Sequence, residues 1–210
     1  MKNILVTGGA GYIGSHVCKE LAQEGFNPIT YDNLDNGNLS SVKWGPFEKG
    51  DILDANRLCS ILKKYKPTAV MHFAALANVG ESFKNPLKFY KNNIFGSESI
   101  LDSMINENIE HFIFSSTCAV YGVHSKKRVD EKTPLLPISP YGTSKLIVEQ
   151  SLKQSKYANK IKSISLRYFN ASGADLDGEI GESHFPETHL IPKIIEVSRG
   201  LSDYIDIYGN

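Results

Sequence analysis

The sequence predicts an α/β fold in which helices cover both faces of a doubly wound parallel sheet. Short apolar stretches alternate with longer amphipathic ones along the chain, as β-α-β units do. Residues 68–75 are almost continuously apolar, which is typical of a parallel strand buried on both faces. A glycine-rich turn at residues 8–14 joins the first strand to the first helix. These observations favour a Rossmann-like sheet with right-handed crossovers.

Each element has its own signal in the pattern of apolar residues and breakers. Residues 2–7 are rich in branched apolar side chains, and Asp54 is placed to cap the helix that follows it. Prolines mark several boundaries between elements. The predicted strands are residues 2–7, 27–32, 46–50, 68–75, 111–116 and 162–168. The predicted helices are residues 12–22, 55–65, 86–106 and 141–155, with a surface helix from His189 to Arg199 as a further candidate.

The glycine spacing of the first turn indicates a site for a nucleotide diphosphate. Gly8, Gly11 and Gly14 follow a strand and open a helix. Glycines there allow a tight turn, a close approach of the backbone to a diphosphate, and close packing of helix on strand. The helix N-terminus adds unpaired N–H groups and the positive end of its dipole. Dinucleotide binding is therefore predicted, the alternative being an ordinary turn.

The second strand ends in an acid, Asp32, 18 positions beyond Gly14. A carboxylate at this place accepts hydrogen bonds from an adenosine ribose and repels a 2′-phosphate. No arginine follows in residues 33–37, so NAD is favoured over NADP. The alternative is that Asp32 only caps the turn after the strand. Residues 34–41 are polar and are expected to form a loop near the adenosine.

A tyrosine and a lysine four positions apart indicate proton transfer at the strand ends. Tyr141 and Lys145 would lie on one helical face. A nearby ammonium lowers the pKa of a phenol from its usual value near ~10, so Tyr141 could exchange a proton with a hydroxyl as hydride moves. The fifth strand ends in hydroxyl residues, including Thr117, that can hydrogen-bond the same oxygen. Such a pair alone is common on solvated helices, but the glycine loop and Asp32 favour the catalytic interpretation.

Composition and charge exclude several other classes of protein. The formal net charge of the 210-residue chain is zero, so neither nucleic acid nor membrane is an expected partner. The cysteines Cys18, Cys59 and Cys118 lie far apart, which predicts neither a disulfide framework nor a metal site. His72 is expected to be a packed strand residue rather than a ligand. With no signal peptide and no long apolar stretch, a cytoplasmic protein is expected.

The chain resembles the extended short-chain dehydrogenase/reductase family and, within it, the sugar-nucleotide epimerases. The motifs that carry the resemblance are VTGGAGYIGSH (6–16), YDNLDNG (31–37), GDI (50–52), HFAALANVGES (72–82), NN (92–93), FSSTCAVYG (114–122), SPYGTSKLIVEQ (139–150) and LRYFNASGAD (166–175). They cover most of the chain in order. The resemblance implies tightly held NAD and the interconversion of UDP-galactose and UDP-glucose. In that reaction C4 is oxidised, the 4-keto sugar turns, and hydride returns to its other face.

The same resemblance assigns roles to individual residues. Tyr141 would remove the proton of the sugar 4-hydroxyl, Thr117 would hydrogen-bond the 4-oxygen, and Lys145 would hold the nicotinamide ribose and tune Tyr141. The residues expected to bind the cofactor are Gly8, Gly11, Tyr12, Ile13, Gly14, Asp32, Asn33, Leu34, Asp35, Asn36, Gly37, Asp51, Ile52, Phe73, Ala74, Ala75, Asn92, Thr117, Tyr141, Lys145 and Phe169. Those expected to bind the UDP-sugar are Thr117, Tyr141, Asn170, His189 and Leu190.

Two departures from the family pattern shape the expected domain organisation. Ala77 stands where some relatives carry a lysine near the cofactor diphosphate. The chain ends at Asn210, where related chains continue into the rest of the sugar-nucleotide domain. The sequence therefore predicts a NAD-binding domain at residues 1–170 and the incomplete start of a small substrate domain at residues 171–210.

Two other interpretations stay open, and the resemblance also predicts an assembly. A non-catalytic NAD-binding fragment would keep Tyr141 and Lys145 only as cofactor contacts. A 4,6-dehydratase carries acidic residues directly after the strand-five threonine, and residues 118–119 are Cys and Ala instead, which argues against it. The helices at 86–106 and 141–155 would pair with their counterparts in the four-helix bundle of a homodimer. A monomer in which both helices only cover the sheet is the alternative.

Overall fold

A computed structural model of the chain describes residues 1–124, 128–154, 157, 160–184 and 187–206. These residues form a six-stranded sheet in the order β3-β2-β1-β4-β5-β6, and each neighbouring pair is parallel. The strands are β1 (Asn3–Thr7), β2 (Asn27–Asp32), β3 (Phe47–Lys49), β4 (Ala69–His72), β5 (His111–Thr117) and β6 (Lys162–Tyr168). The predicted doubly wound parallel sheet is confirmed, and its direction of winding changes between β1 and β4.

The helices agree with the predicted ones except between β4 and β5. They are α1 (Tyr12–Gln23), α2 (Ala55–Tyr65), α3 (Val79–Lys84), α4 (Pro86–Tyr90), α5 (Gly96–Asn106), α6 (Pro140–Gln154) and α7 (Leu190–Ser198). The single helix predicted at 86–106 is α4 and α5 joined by a π-helical turn at Lys91–Phe95. The short helix α3 was not predicted. Ser155, the predicted last residue of α6, lies outside the described residues.

Local side-chain chemistry explains where the helices begin and end. Asp54 caps α2 as predicted, because its Oδ1 accepts a hydrogen bond from the Arg57 backbone N–H at 2.9 Å. Lys66 ends α2 in the left-handed region, with φ at 44°. Asn78 caps α3 by accepting from the Glu81 N–H at 2.8 Å. An Asn cap followed by only six residues of helix gives too short an apolar period to be recognised in the sequence.

The core lies mainly on one face of the sheet. There, Leu5, Val70 and Phe112 of the strands pack with α2, α5 and α6, which contribute buried residues such as Leu58 and Leu101. The smaller cluster on the other face packs against α1. Its buried members are Ile4, Val6 and Cys18. Helices on both faces explain why the strands are continuously apolar.

The strand β4 is shorter than predicted because the chain turns away from the sheet after His72. The backbone N–H groups of Phe73 and Ala74 both donate to the carbonyl of Thr7, at 2.8 and 3.0 Å. The carboxyl ends of β1 and β4 are thereby tied together, directly beside the glycine loop. No helix in the described part of the chain is long and apolar enough to cross a membrane.

Candidate active site

The glycine loop between β1 and α1 is shaped for close packing and for an anion. Gly8 has φ at +74°, and a Cβ there would collide with the backbone nitrogen of Ala74. A Cβ at Gly14 would collide with the carbonyl of Gly8. Gly11 is the N-cap residue of α1, and no side chain caps the first turn. The N–H groups of that turn are therefore left without a side-chain cap, which is the condition under which a helix N-terminus can bind a diphosphate.

The carboxylate of Asp32 is fixed at the end of β2 beside this loop. It accepts hydrogen bonds from the backbone N–H groups of Ala10 at 3.1 Å and Leu34 at 2.9 Å. Burial raises the pKa of Asp32, and these two hydrogen bonds act in the opposite direction. Asp32 thus caps the turn that follows β2, as in the alternative interpretation of the sequence, in which capping was its only role. Each carboxylate oxygen has two lone pairs, so this capping still leaves acceptors for a ribose.

The other residues expected to bind a cofactor follow the carboxyl ends of the strands. Asn33 links the ends of β2 and β3, since its Nδ2 donates to Asp35 and Asp51, at 3.1 Å each. Phe73, Ala74 and Ala75 directly follow β4. The ligand site of such sheets lies where the strand order reverses, which is here between β1 and β4. The residues present therefore fit a dinucleotide across this crevice.

Tyr141 and Lys145 lie on the buried face of α6, one turn apart. The Lys145 ammonium donates to the carbonyl of Ser115 at 2.9 Å and lies 4.9 Å from the centre of the Phe114 ring. The residue is 3% exposed, and burial lowers the pKa of Lys145 to about 7. Burial raises the pKa of Tyr141, and a hydrogen bond with Thr117 acts in the opposite direction.

The raised pKa of Tyr141 differs from the lowered value predicted from the sequence. Burial of the phenol has the largest effect on this pKa, and the Lys145 ammonium does not contribute to it. Lys145 donates instead to Ser115. The three residues Thr117, Tyr141 and Lys145 are nevertheless placed as expected, at the carboxyl end of β5 and on the helix that packs beside it.

A buried ion pair supports this face of α6 and was missed in the sequence. Glu149 lies one turn beyond Lys145 and is 1% exposed. Its carboxylate accepts two hydrogen bonds from Arg167 of β6, at 2.6 and 3.0 Å, and one from Ser116 of β5 at 2.5 Å. Arg167 also donates to the Tyr121 hydroxyl at 3.1 Å. The spacing 141, 145, 149 was the available signal, since every fourth residue of a helix shares a face.

The π-helical turn brings a second fixed side chain toward α6. Asn93 is 1% exposed, and its Nδ2 donates to the Leu76 carbonyl and to Ser144 Oγ, at 3.0 and 3.1 Å. Asn92, the residue expected to contact the cofactor, donates to Asn93 Oδ1 at 3.0 Å. The sequence therefore identified the pair, whereas the structure gives the packing role to its second member. π-Helical turns inside helices are often found at functional sites.

His72 is a packed strand residue, as expected. It is fully buried between Thr7 Oγ1, 2.7 Å from Nδ1, and Ser97 Oγ, 2.9 Å from Nε2. Burial lowers the pKa of His72 well below its usual value, and the charge of Lys145 acts in the same direction. A neutral imidazole here joins β1, β4 and α5 beneath the crevice.

The segment after β6 crosses over α1 near the glycine loop. Lys19 of α1 pairs with Asp175 at 2.7 Å, Asp177 at 2.5 Å and Glu179 at 3.1 Å. The Tyr12 hydroxyl donates to the Gly173 carbonyl at 2.5 Å. The residues after β6 that were expected to contact cofactor or sugar are all exposed: Phe169, Asn170, His189 and Leu190. Their predicted roles stay predictions.

A glycine loop, an acid at the end of the second strand and a Tyr/Lys pair at one edge of a parallel sheet are features of dinucleotide-binding α/β proteins. A model of the NAD dependent epimerase/dehydratase family matches residues 4–209, and the chain belongs to this family. Over 207 residues it is 50% identical to the UDP-glucose 4-epimerase of Rhizobium meliloti (strain 1021), covering 99% of this chain and 63% of that protein.

Solved structures agree with the family assignment. The crystal structure of UDP-glucose 4-epimerase from Brucella ovis in complex with NAD has a TM-score of 0.96 and 50% identity, covering 100% of this chain and 64% of that one. The Stenotrophomonas maltophila UDP-glucose-4-epimerase with bound NAD and formylated UDP-arabinopyranose has a TM-score of 0.94 and 38% identity, covering 100% and 65%. The chain therefore spans slightly less than two thirds of the length of these relatives.

Proposed function

We propose that this chain holds the NAD site and the catalytic groups of a UDP-glucose 4-epimerase, which interconverts UDP-galactose and UDP-glucose. One observation carries the proposal. Tyr141 and Thr117 form a hydrogen-bonded hydroxyl pair at the carboxyl end of β5, and the buried Lys145 follows Tyr141 one turn along α6. The relatives named above support the substrate, and the alternative of a non-catalytic NAD-binding fragment is not favoured.

The cofactor would lie across the crevice between β1 and β4. NAD supplies a reversible acceptor for the hydride of the sugar C4. On this chain, the first turn of α1 would hold its diphosphate and Asp32 its adenosine ribose. Lys145 has three donors, and its hydrogen bond to Ser115 uses one of them, so the others can bind the second ribose.

The proton chemistry belongs to Tyr141 and Thr117. The Tyr141 phenolic oxygen would take the proton of the sugar 4-hydroxyl as the C4–H bond breaks, and return it when that bond reforms. Thr117 would hold the 4-oxygen by a hydrogen bond. Because burial raises the pKa of Tyr141 in the free chain, the phenolate has to be favoured by the positive charges that gather when the cofactor binds.

We assign the NAD-binding domain to residues 1–170 and the beginning of the sugar-nucleotide region to residues 171–210. The helix α7 supports this division, because several of its apolar side chains are exposed. Those residues are Leu190 at 65%, Ile191 at 49%, Ile194 at 47% and Ile195 at 48% exposed. A UDP-sugar contact at His189 and Leu190 would cover part of this surface, as a contact at Asn170 would at the end of β6.

A homodimer through α4, α5 and α6 is the second part of the proposal. Leu87 is 78% exposed and Phe95 is 58% exposed on the α4–α5 segment, where a four-helix bundle would bury them. Elution as a monomer at high protein concentration would reject this assembly. The cytoplasmic location expected from the sequence stays a prediction.

The proposal is tested by separating cofactor binding from turnover. The purified chain is loaded with NAD and given UDP-galactose, and UDP-glucose formation is followed alongside bound NAD. Tyr141→Phe should retain NAD and lose turnover. A control variant, Tyr65→Phe, changes a hydroxyl that binds Glu48 away from the site and should retain both. NAD binding without turnover in the unmodified chain would favour the non-catalytic fragment.

A further inference from the structure

A second cluster of chemically active side chains is made of residues other than the proposed catalytic groups, and it shares His189 with the proposed UDP-sugar contacts. Glu182, His184, Glu187 and His189 each place one ligand atom within 4.8 Å of the other three. The Nδ1 of His189 lies 2.8 Å from Glu182 Oε1 and 2.9 Å from Glu187 Oε1. The Nδ1 of His184 lies 3.5 Å from Glu182 Oε1. Four donors from an eight-residue segment thus converge on one point.

The four ligand groups are more buried than the side chains of an ordinary surface network of ion pairs. The Nδ1 of His184 is buried and, among the described residues, has no hydrogen-bond partner. The carboxylate side chains of Glu182 and Glu187 are only 13% and 11% exposed. The imidazole side chains of His184 and His189 are 33% and 54% exposed, which leaves an approach from solvent. Buried polar atoms without a partner need an explanation such as a bound ion.

The two carboxylates of the cluster make no direct ion pair with a lysine or arginine in the described part of the chain. The ion pairs of Glu182 and Glu187 there involve only His184 and His189. Burial opposes ionisation of Glu187, but hydrogen bonds from His189 and Thr188 hold the pKa of this carboxyl below its usual value.

A neighbouring cluster shows how such charge is balanced elsewhere in this chain. Asp175, Asp177 and Glu179 also bring ligand atoms within 4.8 Å of one another. All three pair with the Lys19 ammonium, at 2.5 to 3.1 Å. That cluster already has its cation and needs no ion.

We propose that Glu182, His184, Glu187 and His189 form a binding site for a divalent transition-metal ion of the Zn²⁺ type. Two imidazole nitrogens and two carboxylate oxygens suit Zn²⁺, whereas Mg²⁺ and Ca²⁺ prefer oxygen alone. Four protein ligands close a tetrahedral site, so the ion is structural. It joins Glu182 and His184 to Glu187 and His189, which lie just before α7 in the chain. No metal site was predicted from the sequence, because the three cysteines of the chain lie far apart.

The test is direct metal binding by the full 210-residue chain, without cofactor or substrate. After chelator treatment, ZnCl₂ is titrated by calorimetry, and CoCl₂ is titrated while the visible absorption of four-coordinate Co²⁺ is followed. One equivalent of each should bind. His184→Ala, and the isosteric double variant Glu182→Gln/Glu187→Gln, should each lose at least tenfold in affinity. Binding should also weaken from pH 7 to pH 5, because protonated imidazole is not a ligand.

Matched controls separate this site from adventitious binding. His111→Ala removes an exposed histidine at the start of β5, and Cys59→Ser removes a partly exposed thiol, so neither should change the affinity. Asp177→Asn tests the cluster held by Lys19 and should also leave it unchanged. Absence of one-equivalent binding in the unmodified chain, or equal binding by His184→Ala, would overturn the proposal. Neither result depends on the epimerase assignment, because no activity is measured.

Discussion

Glu149, which shares a face of α6 with Tyr141 and Lys145, forms a bidentate ion pair with Arg167 of β6. Arg167 Nη2 lies 2.6 Å from Glu149 Oε2, and Arg167 Nε lies 3.0 Å from Glu149 Oε1. The Arg167 side chain is 13% exposed, and the Glu149 side chain is 1% exposed. Because Ser116 donates to the same carboxylate, one buried group fixes β5, β6 and α6 relative to one another. The proposed catalytic residues are positioned by this arrangement.

Loss of the Glu149 charge should destabilise the fold. Glu149→Gln keeps the shape of the side chain but leaves the Arg167 guanidinium largely buried without its counter-ion, which costs about 3 kcal/mol. Equilibrium urea unfolding measures the change. Glu110→Gln is the matched control, since Glu110 pairs with Lys162 at 2.7 Å on the surface, with side chains 56% and 71% exposed. It should cause no measurable change, and an equal effect of both variants would contradict the account.

The same ion pair should make stability depend on pH in the acid range. Burial alone would raise the pKa of Glu149, but hydrogen bonds from Arg167 and Ser116 hold this pKa below its usual value. As the pH falls, Glu149 is therefore protonated in the unfolded chain before it is protonated in the folded chain. The stabilisation by its ionised carboxylate is fully present above the ordinary glutamate pKa near ~4.3. It is lost as the pH falls through the lower folded value. The stability difference between the unmodified chain and Glu149→Gln should shrink below pH ~4, and a constant difference would refute this origin.

Lys145→Met should increase stability while abolishing turnover. The buried ammonium has a pKa of about 7 in the folded chain, well below its unfolded value near ~10.4. Between these two pKa values the unfolded chain binds more protons than the folded chain. The free-energy cost of burying the ammonium is therefore complete below pH ~7 and fades as the pH rises toward ~10. Removing it should raise the free energy of unfolding at pH 7 by about 2 kcal/mol.

Urea unfolding of Lys145→Met at pH 7 and at pH 9.5 tests the predicted gain in the free energy of unfolding and its pH dependence. The gain should be smaller at the higher pH. Lys91→Met, at an exposed position of the π-helical turn, serves as the control and should show neither gain nor pH dependence. A destabilised Lys145→Met would mean that the hydrogen bond to Ser115 outweighs the cost of burying the ammonium.

Asp32→Asn should weaken the binding of NAD and reduce its preference over NADP. The amide cannot accept as strongly from a ribose hydroxyl and no longer repels a 2′-phosphate. We expect about a tenfold loss of NAD affinity, equivalent to about 1.4 kcal/mol, with a smaller loss for NADP. Fluorescence titration with both cofactors measures the ratio. Asp203→Asn, an exposed acid after α7, should leave it unchanged, and an unchanged ratio in Asp32→Asn would place the ribose elsewhere.

Features governed by local chemistry could be predicted from the sequence. The strand β6 has the predicted bounds, and Asp54 caps α2 as expected, because branched residues and capping side chains act over a few positions. The direction of the Tyr141 pKa could not be predicted, because it depends on how deeply the phenol is buried and on where the Lys145 ammonium points. Burial of this kind is set by tertiary packing.

Contacts between side chains that are far apart in the sequence could not be predicted either. Glu149 and Arg167 are 18 positions apart and meet only because β6 lies beside β5. Asn93 reaches Ser144, 51 positions away, because the π-helical turn faces α6. The segment 182–189 gave no recognisable motif, since its donors converge only in the folded chain. In each case the residue types were visible, but their partners were not.

The most direct test of the proposed function follows the hydrogen at C4 of the sugar. The chain is supplied with NAD and with UDP-galactose that carries deuterium at C4, and the product is analysed by mass spectrometry and NMR. We predict UDP-glucose that retains deuterium at C4, because the hydride leaves and returns within one closed site. Product that has exchanged this deuterium with water, or no UDP-glucose from a chain with bound NAD, would contradict the account.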